Sequence, residues 1–292
     1  MHKSGFVNII GNPNVGKSTL MNALVGEKLS IITSKAQTTR HRIMGIVNGD
    51  DFQIVYTDTP GIVNPHYKLH ESMMGYVGTA LQDADIFLIV TEVGETLKNA
   101  AILQKVTASK KPVILVVNKI DLSNQEVIKD KLRYWQEQIP SAVVIPTSAT
   151  EHFNVDKIFD TILNLLPEHE PFFPKDELTD RSMRFFVSEI VREHILLLYS
   201  KEIPYSSEVV VDHYEEGEKL ERISVTIFVE RETQKAIIIG HGGAAIKRLG
   251  IESRKDIEDF SGKHCFLDLR VKVMKDWRNN ESALRQFGYD NK

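Results

Sequence analysis

The stretch Gly11-Asn12-Pro13-Asn14-Val15-Gly16-Lys17-Ser18 decides the fold of the first half of this 292-residue chain. It fits the pattern GxxxxGK[ST], follows an apolar run of strand length, and leads into a helix-like segment from Thr19. Such a loop turns its backbone N–H groups around an anion, and the helix adds its positive dipole end. Lys17 can then reach the outer phosphates of a nucleotide, and Ser18 can place its hydroxyl on Mg²⁺. A chance glycine-rich turn is the alternative, and the flanking strand and helix disfavour it.

Composition allows one or two domains with real cores and excludes several classes of protein. No apolar run approaches a membrane span, and the N-terminus leads straight into a strand, so we expect no signal peptide. The single cysteine, Cys265, lies in an alternating apolar segment, which predicts a buried thiol and a reducing compartment. The net charge of −4 argues against a protein that coats nucleic acid by bulk charge. Residues 235–278 nevertheless hold 10 basic and 6 acidic side chains, which predicts a modest basic patch.

Strand-like and helix-like segments alternate through the first half of the chain. A hairpin signal at residues 48–51 joins two strands, and the apolar runs at 86–90 and 113–117 are typical of central parallel strands. This order predicts an α/β domain with a doubly wound, mostly parallel six-stranded sheet over residues 1–166. Residues 167–180 contain three prolines and no periodicity, so we expect a linker, followed by a second domain at 181–292.

Polar stretches in this half fall at strand ends or between strands, where ligands bind in an open α/β sheet. Asp58, in Asp58-Thr59-Pro60-Gly61, can hold Mg²⁺ through water, while Gly61 leaves its N–H free to approach a γ-phosphate. An ordinary Asp-Pro-Gly turn is the alternative. In Gln37-Thr38-Thr39-Arg40, where a first switch should lie, Thr39 is the expected Mg²⁺ ligand and Thr38 the alternative.

Two further stretches concern the base. Asn118-Lys119-Ile120-Asp121 resembles the NKxD motif of GTPases, in which the Asp accepts two hydrogen bonds from guanine. Adenine has no matching donor pair, and a site built to bond a group rejects the analogue that lacks it. Thr147-Ser148-Ala149 matches the fifth GTPase motif, whose Ala149 N–H would bond guanine O6. A polar helix N-terminus is the alternative for Asn and Asp alone.

Together the five motifs resemble the translation-factor-related GTPases, and the bacterial Era family most closely, over about residues 5–166. The resemblance implies a P-loop GTP hydrolase with GTP or GDP and Mg²⁺ as ligands. The expected nucleotide-binding residues are Gly11, Asn12, Pro13, Asn14, Val15, Gly16, Lys17, Ser18, Thr19, Asp58, Thr59, Pro60, Gly61, Ile62, Asn118, Lys119, Ile120, Asp121, Thr147, Ser148 and Ala149. Those expected to act in catalysis are Lys17, Thr39, Asp58 and Gly61, and those expected to hold Mg²⁺ are Ser18, Thr39 and Asp58.

Two positions bear on the rate of hydrolysis. Ile62 stands where Ras-like enzymes carry the Gln that orients water, so intrinsic hydrolysis should be slow. In related GTPases an Asn at the place of Asn14 helps to bind K⁺, which can supply positive charge. Asn14 is therefore either a K⁺ ligand or a turn residue.

The second half carries a different signature. Its order, helix–strand–strand–helix–helix–strand, suits an α+β type II KH fold, and Gly240-His241-Gly242-Gly243 fits the GXXG loop with which KH domains clamp a nucleic-acid backbone. Residues 237–247 resemble the C-terminal KH domain of the Era family, which usually has Lys where His241 stands. That change removes a fixed positive charge from the clamp. The expected RNA contacts are Lys235, Gly240, His241, Gly242, Gly243, Lys247 and Arg248, with Arg254 and Lys272 as further candidates.

The family resemblance covers nearly the whole chain and implies a switch that binds the 3′ end of 16S ribosomal RNA during processing and small-subunit assembly. It also implies a cytoplasmic monomer with peripheral membrane contact. Two rivals stay open: a related GTPase that acts on tRNA modification or another ribosomal site, and a non-catalytic RNA chaperone that senses GTP. His66 and His70 have helical spacing but no third ligand, so we expect a surface role rather than a metal site.

Overall fold

The computed structural model describes residues 1–35, 37–95 and 100–289. The chain forms two compact units: Met1–Asn64 with Met73–Asp180, and Pro65–Ser72 with the chain from Arg181 onward. The strands and helices up to residue 166 are β1 Lys3–Ile10, α1 Lys17–Val25, β2 Ile43–Asn48, β3 Phe52–Asp58, α2 Lys68–Asp83, β4 Ile86–Glu92, α3 Ala100–Ala108, β5 Val113–Asn118, α4 Gln125–Gln138, β6 Val143–Pro146 and α5 Val155–Leu165.

The first unit is built on a six-stranded sheet with strand order β2-β3-β1-β4-β5-β6. Every neighbouring pair is parallel except β2 and β3, which are joined by the hairpin that the sequence predicts. The central strands β4 and β5 are buried almost throughout, because helices cover both faces of a parallel sheet. The predicted fold class of this unit is therefore confirmed, and the carboxyl ends of β1, β3, β4 and β5 meet at one edge.

The remaining elements belong to the second unit. They are α6 Met183–Leu198, α7 Ile203–Ser206, β7 Glu208–Glu215, β8 Leu220–Val229, α8 Glu232–Ile239, α9 Ala244–Ser261, β9 His264–Val273 and α10 Glu281–Gln286. In its sheet β8 pairs antiparallel with β7 and parallel with β9. Apolar side chains of α6, β8 and α9, such as Val191, Val225 and Leu249, form its core. This order of elements confirms the predicted KH fold.

Three local predictions need correction or comment. The sequence predicts two helices that meet near Gly250, but α9 is one helix, because Leu249, Ser253 and Ile257 keep one buried stripe across that glycine. The helix predicted over roughly Glu95 to Ser109 corresponds to α3 Ala100–Ala108, and residues 96–99 of the predicted span lie outside the described residues. Cys265 is buried as predicted, and burial raises the pKa of its thiol to about 11.

The predicted linker at residues 167–180 contains no helix and runs along the first unit. The buried amide of Gln53 accepts hydrogen bonds from the N–H groups of Phe172 and Phe173 at 2.7 and 3.0 Å and donates to the Phe173 carbonyl at 2.8 Å. Further along, the N–H of Ile46 donates to the Leu178 carbonyl at 2.8 Å. The segment is therefore fixed against β2 and β3 up to its last residues.

Within the described parts of the chain, none of the helices combines the length and the apolar character that crossing a membrane requires.

Candidate functional site

The P-loop occupies the turn between β1 and α1. Gly16 has φ of 95°, and a Cβ added there would lie 2.2 Å from Nδ2 of Asn118, so only glycine fits. Inside the loop, Lys17 Nζ donates to the carbonyls of Gly11 and Asn12 at 3.1 and 2.9 Å. Burial lowers the pKa of Lys17 to about 8, against the opposing effect of the charges of Asp58 and Glu95. The loop thus holds a buried ammonium group at the point where an anion is expected.

Ser18, Thr39 and Asp58 meet at one corner of the cleft. Ser18 Oγ donates to Asp58 Oδ2 at 2.7 Å, and Thr39 Oγ1 lies 2.9 Å from Ser18 Oγ and 3.4 Å from the same carboxylate oxygen. Asp58 is fully buried, which raises the pKa of its carboxyl, and its Oδ1 has no hydrogen-bond partner among the described residues. A buried carboxylate oxygen that is free beside two hydroxyls is an all-oxygen donor set, which fits Mg²⁺.

The structure separates the two threonines that the sequence leaves as alternatives. Thr38 Oγ1 donates to the Lys35 carbonyl at 2.7 Å and lies 2.7 Å from Thr33 Oγ1, so it is engaged within its own loop. Thr39 is the one that is brought to Ser18 and Asp58. Its role as a Mg²⁺ ligand stays a prediction.

Asn118 joins the loops expected to surround guanine. Its Nδ2 donates to the Val15 carbonyl at 2.9 Å, and its Oδ1 accepts from the Ala149 N–H at 3.0 Å. Asp121 Oδ1 accepts from Ser148 Oγ at 2.6 Å, so the fourth and fifth motifs are in direct contact. Because the Ala149 N–H already donates to Asn118 Oδ1, the expected bond to guanine O6 requires that this N–H be shared between the two acceptors. The roles of these residues toward the base stay predictions.

Lys119 extends from the fourth motif across the P-loop. Its Nζ donates to the Asn14 carbonyl at 2.5 Å and forms an ion pair with Glu92 at 2.7 Å. None of the sequence motifs includes Glu92, although its place at the carboxyl end of β4 is a signal that could have identified it. Asn14 has φ of 65°, as a turn residue does, and its Nδ2 donates to the Ser34 carbonyl at 3.2 Å. Its expected K⁺ contact stays a prediction.

The third motif packs against the start of the P-loop. The Ile62 N–H donates to the Gly11 carbonyl at 3.3 Å, and the Thr59 hydroxyl donates to the Ile9 carbonyl at 2.8 Å. The Ile62 side chain packs on the apolar cluster around β4 and β5.

A cleft of about 410 Å³ opens between these loops, lined by Pro13, Asn14, Gly16, Lys17, Ser18, Thr19, Ile31, Ile32, Thr33, Ser34, Gln37, Thr38, Thr39, Gly61 and Lys119.

In the second unit, the GXXG sequence forms the loop between α8 and α9. Gly242 and Gly243 have φ of 58° and 78°, which side chains rarely adopt, and His241 is exposed. The loop therefore presents backbone rather than side chains at the N-terminus of an 18-residue helix.

Beside this loop lies a groove of about 340 Å³ between α9 and β9, lined by Ile246, Lys247, Gly250, Ile251, Arg254, Phe266, Leu267 and Leu269. Of the predicted basic contacts, Lys247 and Arg254 line it, whereas Lys235, Arg248 and Lys272 do not. The apolar lining residues Ile251 and Phe266, which are 51% and 58% exposed, were not among the contacts expected from the sequence.

The expectation for His70 is wrong, because its side chain is 2% exposed. It stacks on Tyr67 with 3.9 Å between ring centroids, and its Nδ1 accepts from the His66 N–H at 3.4 Å. In the described ranges no group of three or more His, Cys, Asp or Glu side chains could hold a metal ion.

Comparison with known proteins gives two family matches and several full-length relatives. The family described as 50S ribosome-binding GTPase matches residues 6–119, and the KH domain family matches residues 202–278. The chain is 43% identical to GTPase Era of Staphylococcus epidermidis over 291 residues, which are 99% of this chain and 97% of that protein. It is 45% identical to GTPase Era of Syntrophus aciditrophicus over an alignment of 294 positions, which covers 99% of this chain and 96% of that protein.

Two solved structures are similar over their whole length. One is a variant of Aquifex aeolicus Era bound to GDP·AlF4⁻, with a TM-score of 0.94 and 38% identity over 98% of this chain and 99% of that one. The other is Era in complex with MgGDPNP and nucleotides 1506–1542 of 16S ribosomal RNA, with a TM-score of 0.94 and 38% identity over 99% of both chains.

Proposed function

The chain belongs to the GTPase Era family, and on that premise we propose that it is a GTP-hydrolysing switch that binds small-subunit ribosomal RNA during small-subunit assembly. The observation that carries the nucleotide half is the convergence of Ser18, Thr39 and Asp58 beside the P-loop. The RNA half is supported by the exposed GXXG loop and its groove. The relative that was solved with MgGDPNP and a 16S fragment shares both units.

Each loop of the cleft has a task in nucleotide binding. Lys17 and the P-loop N–H groups hold the β- and γ-phosphates, and the carboxylate of Asp121 bonds the N1–H and N2–H₂ groups of guanine. Ser18, Thr39 and Asp58 would hold Mg²⁺, which when bound neutralises charge on the phosphates. The Gly61 N–H approaches the γ-phosphate and so responds to its loss.

The chemistry of hydrolysis is then limited by the third motif. Ile62 has no polar group with which to orient water, and its side chain packs on an apolar cluster. Free protein should therefore turn over GTP slowly, and a K⁺ ion at Asn14 is a candidate source of extra positive charge. Stimulation of turnover by K⁺ over Na⁺ would test this part.

RNA binding uses a different physical strategy. The glycines of the GXXG loop let phosphates approach the backbone, and Lys247 and Arg254 supply charge at the groove. Ile251 and Phe266 offer exposed apolar surface on which unstacked bases can pack. A single-stranded RNA 3′ end fits such a groove better than a duplex does.

The segment that follows the third motif is a candidate for coupling the two activities. Residues 65–72 belong to the second unit, where Lys68 pairs with Glu281 at 2.6 Å and the Arg278 guanidinium lies 4.8 Å from the Tyr67 ring centroid. Arg278 also bonds Glu230 at 3.0 Å, one residue before the N-cap of α8. A displacement of Gly61 would therefore reach a segment held by the KH unit, four residues further along the chain.

The test compares both activities in one preparation. RNA affinity is measured with GDP and with a non-hydrolysable GTP analogue at one salt concentration, because phosphate contacts make affinity salt-dependent. Coupling of about 5–150-fold is typical, and RNA must change GTP affinity by the same factor. Absence of GTP turnover with and without RNA would favour the chaperone rival. Turnover with equal RNA affinity in both states would refute the switch.

The finer points of location are also proposals. We expect a monomer in the cytoplasm with peripheral contact at the inner face of the membrane, as the family resemblance implies. Sedimentation of the purified protein and fractionation of cells at low and high salt would test the two expectations separately.

A further inference from the structure

A residue outside all five motifs is attached to the P-loop. Glu95, three residues beyond the end of β4, accepts a hydrogen bond at Oε1 from Nδ2 of Asn12. The backbone carbonyl of the same Asn12 is one of the two acceptors of Lys17 Nζ. Asn12 therefore connects Glu95 with the ammonium group that is expected to meet the phosphates.

Glu95 is itself held firmly. Its Oε2 accepts from the Thr91 hydroxyl at 2.9 Å, its carbonyl accepts from Lys131 Nζ at 2.7 Å, and its side chain is 9% exposed. Both carboxylate oxygens are thus engaged in a nearly buried position, where an unpaired charge would be costly. Glu95 is a fixed acceptor rather than a mobile surface acid.

The P-loop entrance, by which we mean Gly11 and Asn12, is therefore held against the end of β4 and the residues after it at two neighbouring points. At the first, a Cβ added to Gly11 would lie 2.2 Å from the Val90 carbonyl oxygen, so backbone meets backbone. At the second, the Asn12 side chain reaches Glu95. Because the two carbonyls that hold Lys17 are those of Gly11 and Asn12, fixing these residues fixes the ammonium group.

We propose that Glu95 is a positioning residue for phosphate binding: by holding Asn12, it keeps the P-loop entrance and Lys17 in the binding arrangement before a nucleotide arrives. The inference rests on the proposed GTP-binding function. Glu95 would favour nucleotide affinity through its hydrogen bonds and the pre-organisation they give the loop. The negative charge of its carboxylate would by itself repel phosphates.

The test measures affinity and association rate for GDP and GTP in the full-length protein, at fixed Mg²⁺ and salt. Glu95→Ala should weaken binding about tenfold, as expected for one lost hydrogen bond to a charged group. Glu95→Gln should stay within about threefold of wild type, because its amide oxygen can accept from Asn12 while its NH₂ donates to Thr91. Glu126→Ala on α4, which removes an exposed acid of the same unit, should change nothing.

A double-mutant cycle separates positioning from general stability. Asn12→Ala keeps the Glu95–Thr91 bond and should weaken nucleotide binding about as much as Glu95→Ala does. The double variant should then be no weaker than either single variant by more than about twofold. The free energy of unfolding without nucleotide should fall in both single variants, because Asn12→Ala leaves Glu95 Oε1 without its donor and Glu95→Ala leaves the Thr91 hydroxyl without its acceptor. The non-additive loss of nucleotide affinity is therefore the measurement that identifies positioning.

Several results would overturn the inference. They are unchanged affinity in Glu95→Ala, additive losses in the double variant, or a Glu95→Gln protein as weak as Glu95→Ala. If Glu95→Ala fails to fold, the nucleotide affinities of wild type, Asn12→Ala and Glu95→Gln decide. Equal affinity in these three proteins rejects the proposal. A wild-type protein that binds neither GDP nor GTP would instead reject the proposed function on which it rests.

Discussion

The cleft beside the P-loop in the first unit and the groove between α9 and β9 in the second place their side chains in opposite environments. Asp58 and Lys17 are 0% and 6% exposed, and both are engaged in hydrogen bonds. Ile251 and Phe266 are 51% and 58% exposed and apolar. One site is a buried polar assembly, and the other is an open apolar surface with basic side chains beside it.

The difference follows from what each ligand needs. A nucleotide is small, so every phosphate and base edge must meet a fixed polar partner, and burial strengthens each interaction. A single strand of RNA presents large base faces and a repeated negative charge. Exposed apolar side chains and flexible basic side chains are therefore sufficient to bind it. Substitutions should therefore have large, specific effects in the first unit and graded effects in the second.

The largest effect should come from Lys17→Ala. Lys17 is the only charged side chain of the P-loop, and it would bond both the β- and γ-phosphates through charge-assisted hydrogen bonds. We expect GTP affinity to fall about a thousandfold and turnover to disappear, while RNA binding without nucleotide is kept. Titration with labelled GTP and with RNA measures both, and undiminished hydrolysis would contradict the P-loop assignment.

The second effect is a change of preference rather than a loss. Asp121→Asn replaces one acceptor by a donor, which matches the O2 of xanthine where guanine has an amino group. We expect GTP affinity to fall about a hundredfold and XTP affinity to rise, because a mismatched polar group in the site is left unpaired. Competition between the two nucleotides measures the ratio. A variant that binds GTP as before and gains nothing for XTP would remove Asp121 from the base site.

A smaller effect is expected in the groove. Phe266→Ala should weaken RNA binding about 5–150-fold, the range that corresponds to loss of one base–aromatic contact of about 1–3 kcal/mol. Leu197→Ala is the matched control, because Leu197 is 59% exposed on α6 and does not line the groove. GTP turnover without RNA should be equal in both variants. Equal RNA losses would mean that the groove is not the binding surface.

The smallest effect concerns the loop. His241→Lys adds a fixed charge to the GXXG clamp and should tighten RNA binding about threefold at low salt. The slope of log affinity against log salt should become steeper by about one unit, because one more phosphate is neutralised. A slope that stays unchanged would show that position 241 faces away from the backbone of the RNA.

The P-loop and the GXXG loop could be recognised from the sequence because local order encodes them. The P-loop pattern, the alternation of strands and helices, and polar residues directly after apolar strands are set by short-range geometry. The GXXG loop is visible for the same reason, since its positive φ angles require glycine. These features predicted the fold of each unit, and the structure confirms both.

Other features depend on contacts between residues far apart in the chain, and only the tertiary structure decided them. Thr39 rather than Thr38 lies beside Ser18 and Asp58, and Glu95 meets Asn12 because β4 lies beside β1. His70 is buried although its neighbours look like a surface helix. Periodicity says which face of an element is apolar, but packing decides which distant side chain meets it, and that choice has no local signature.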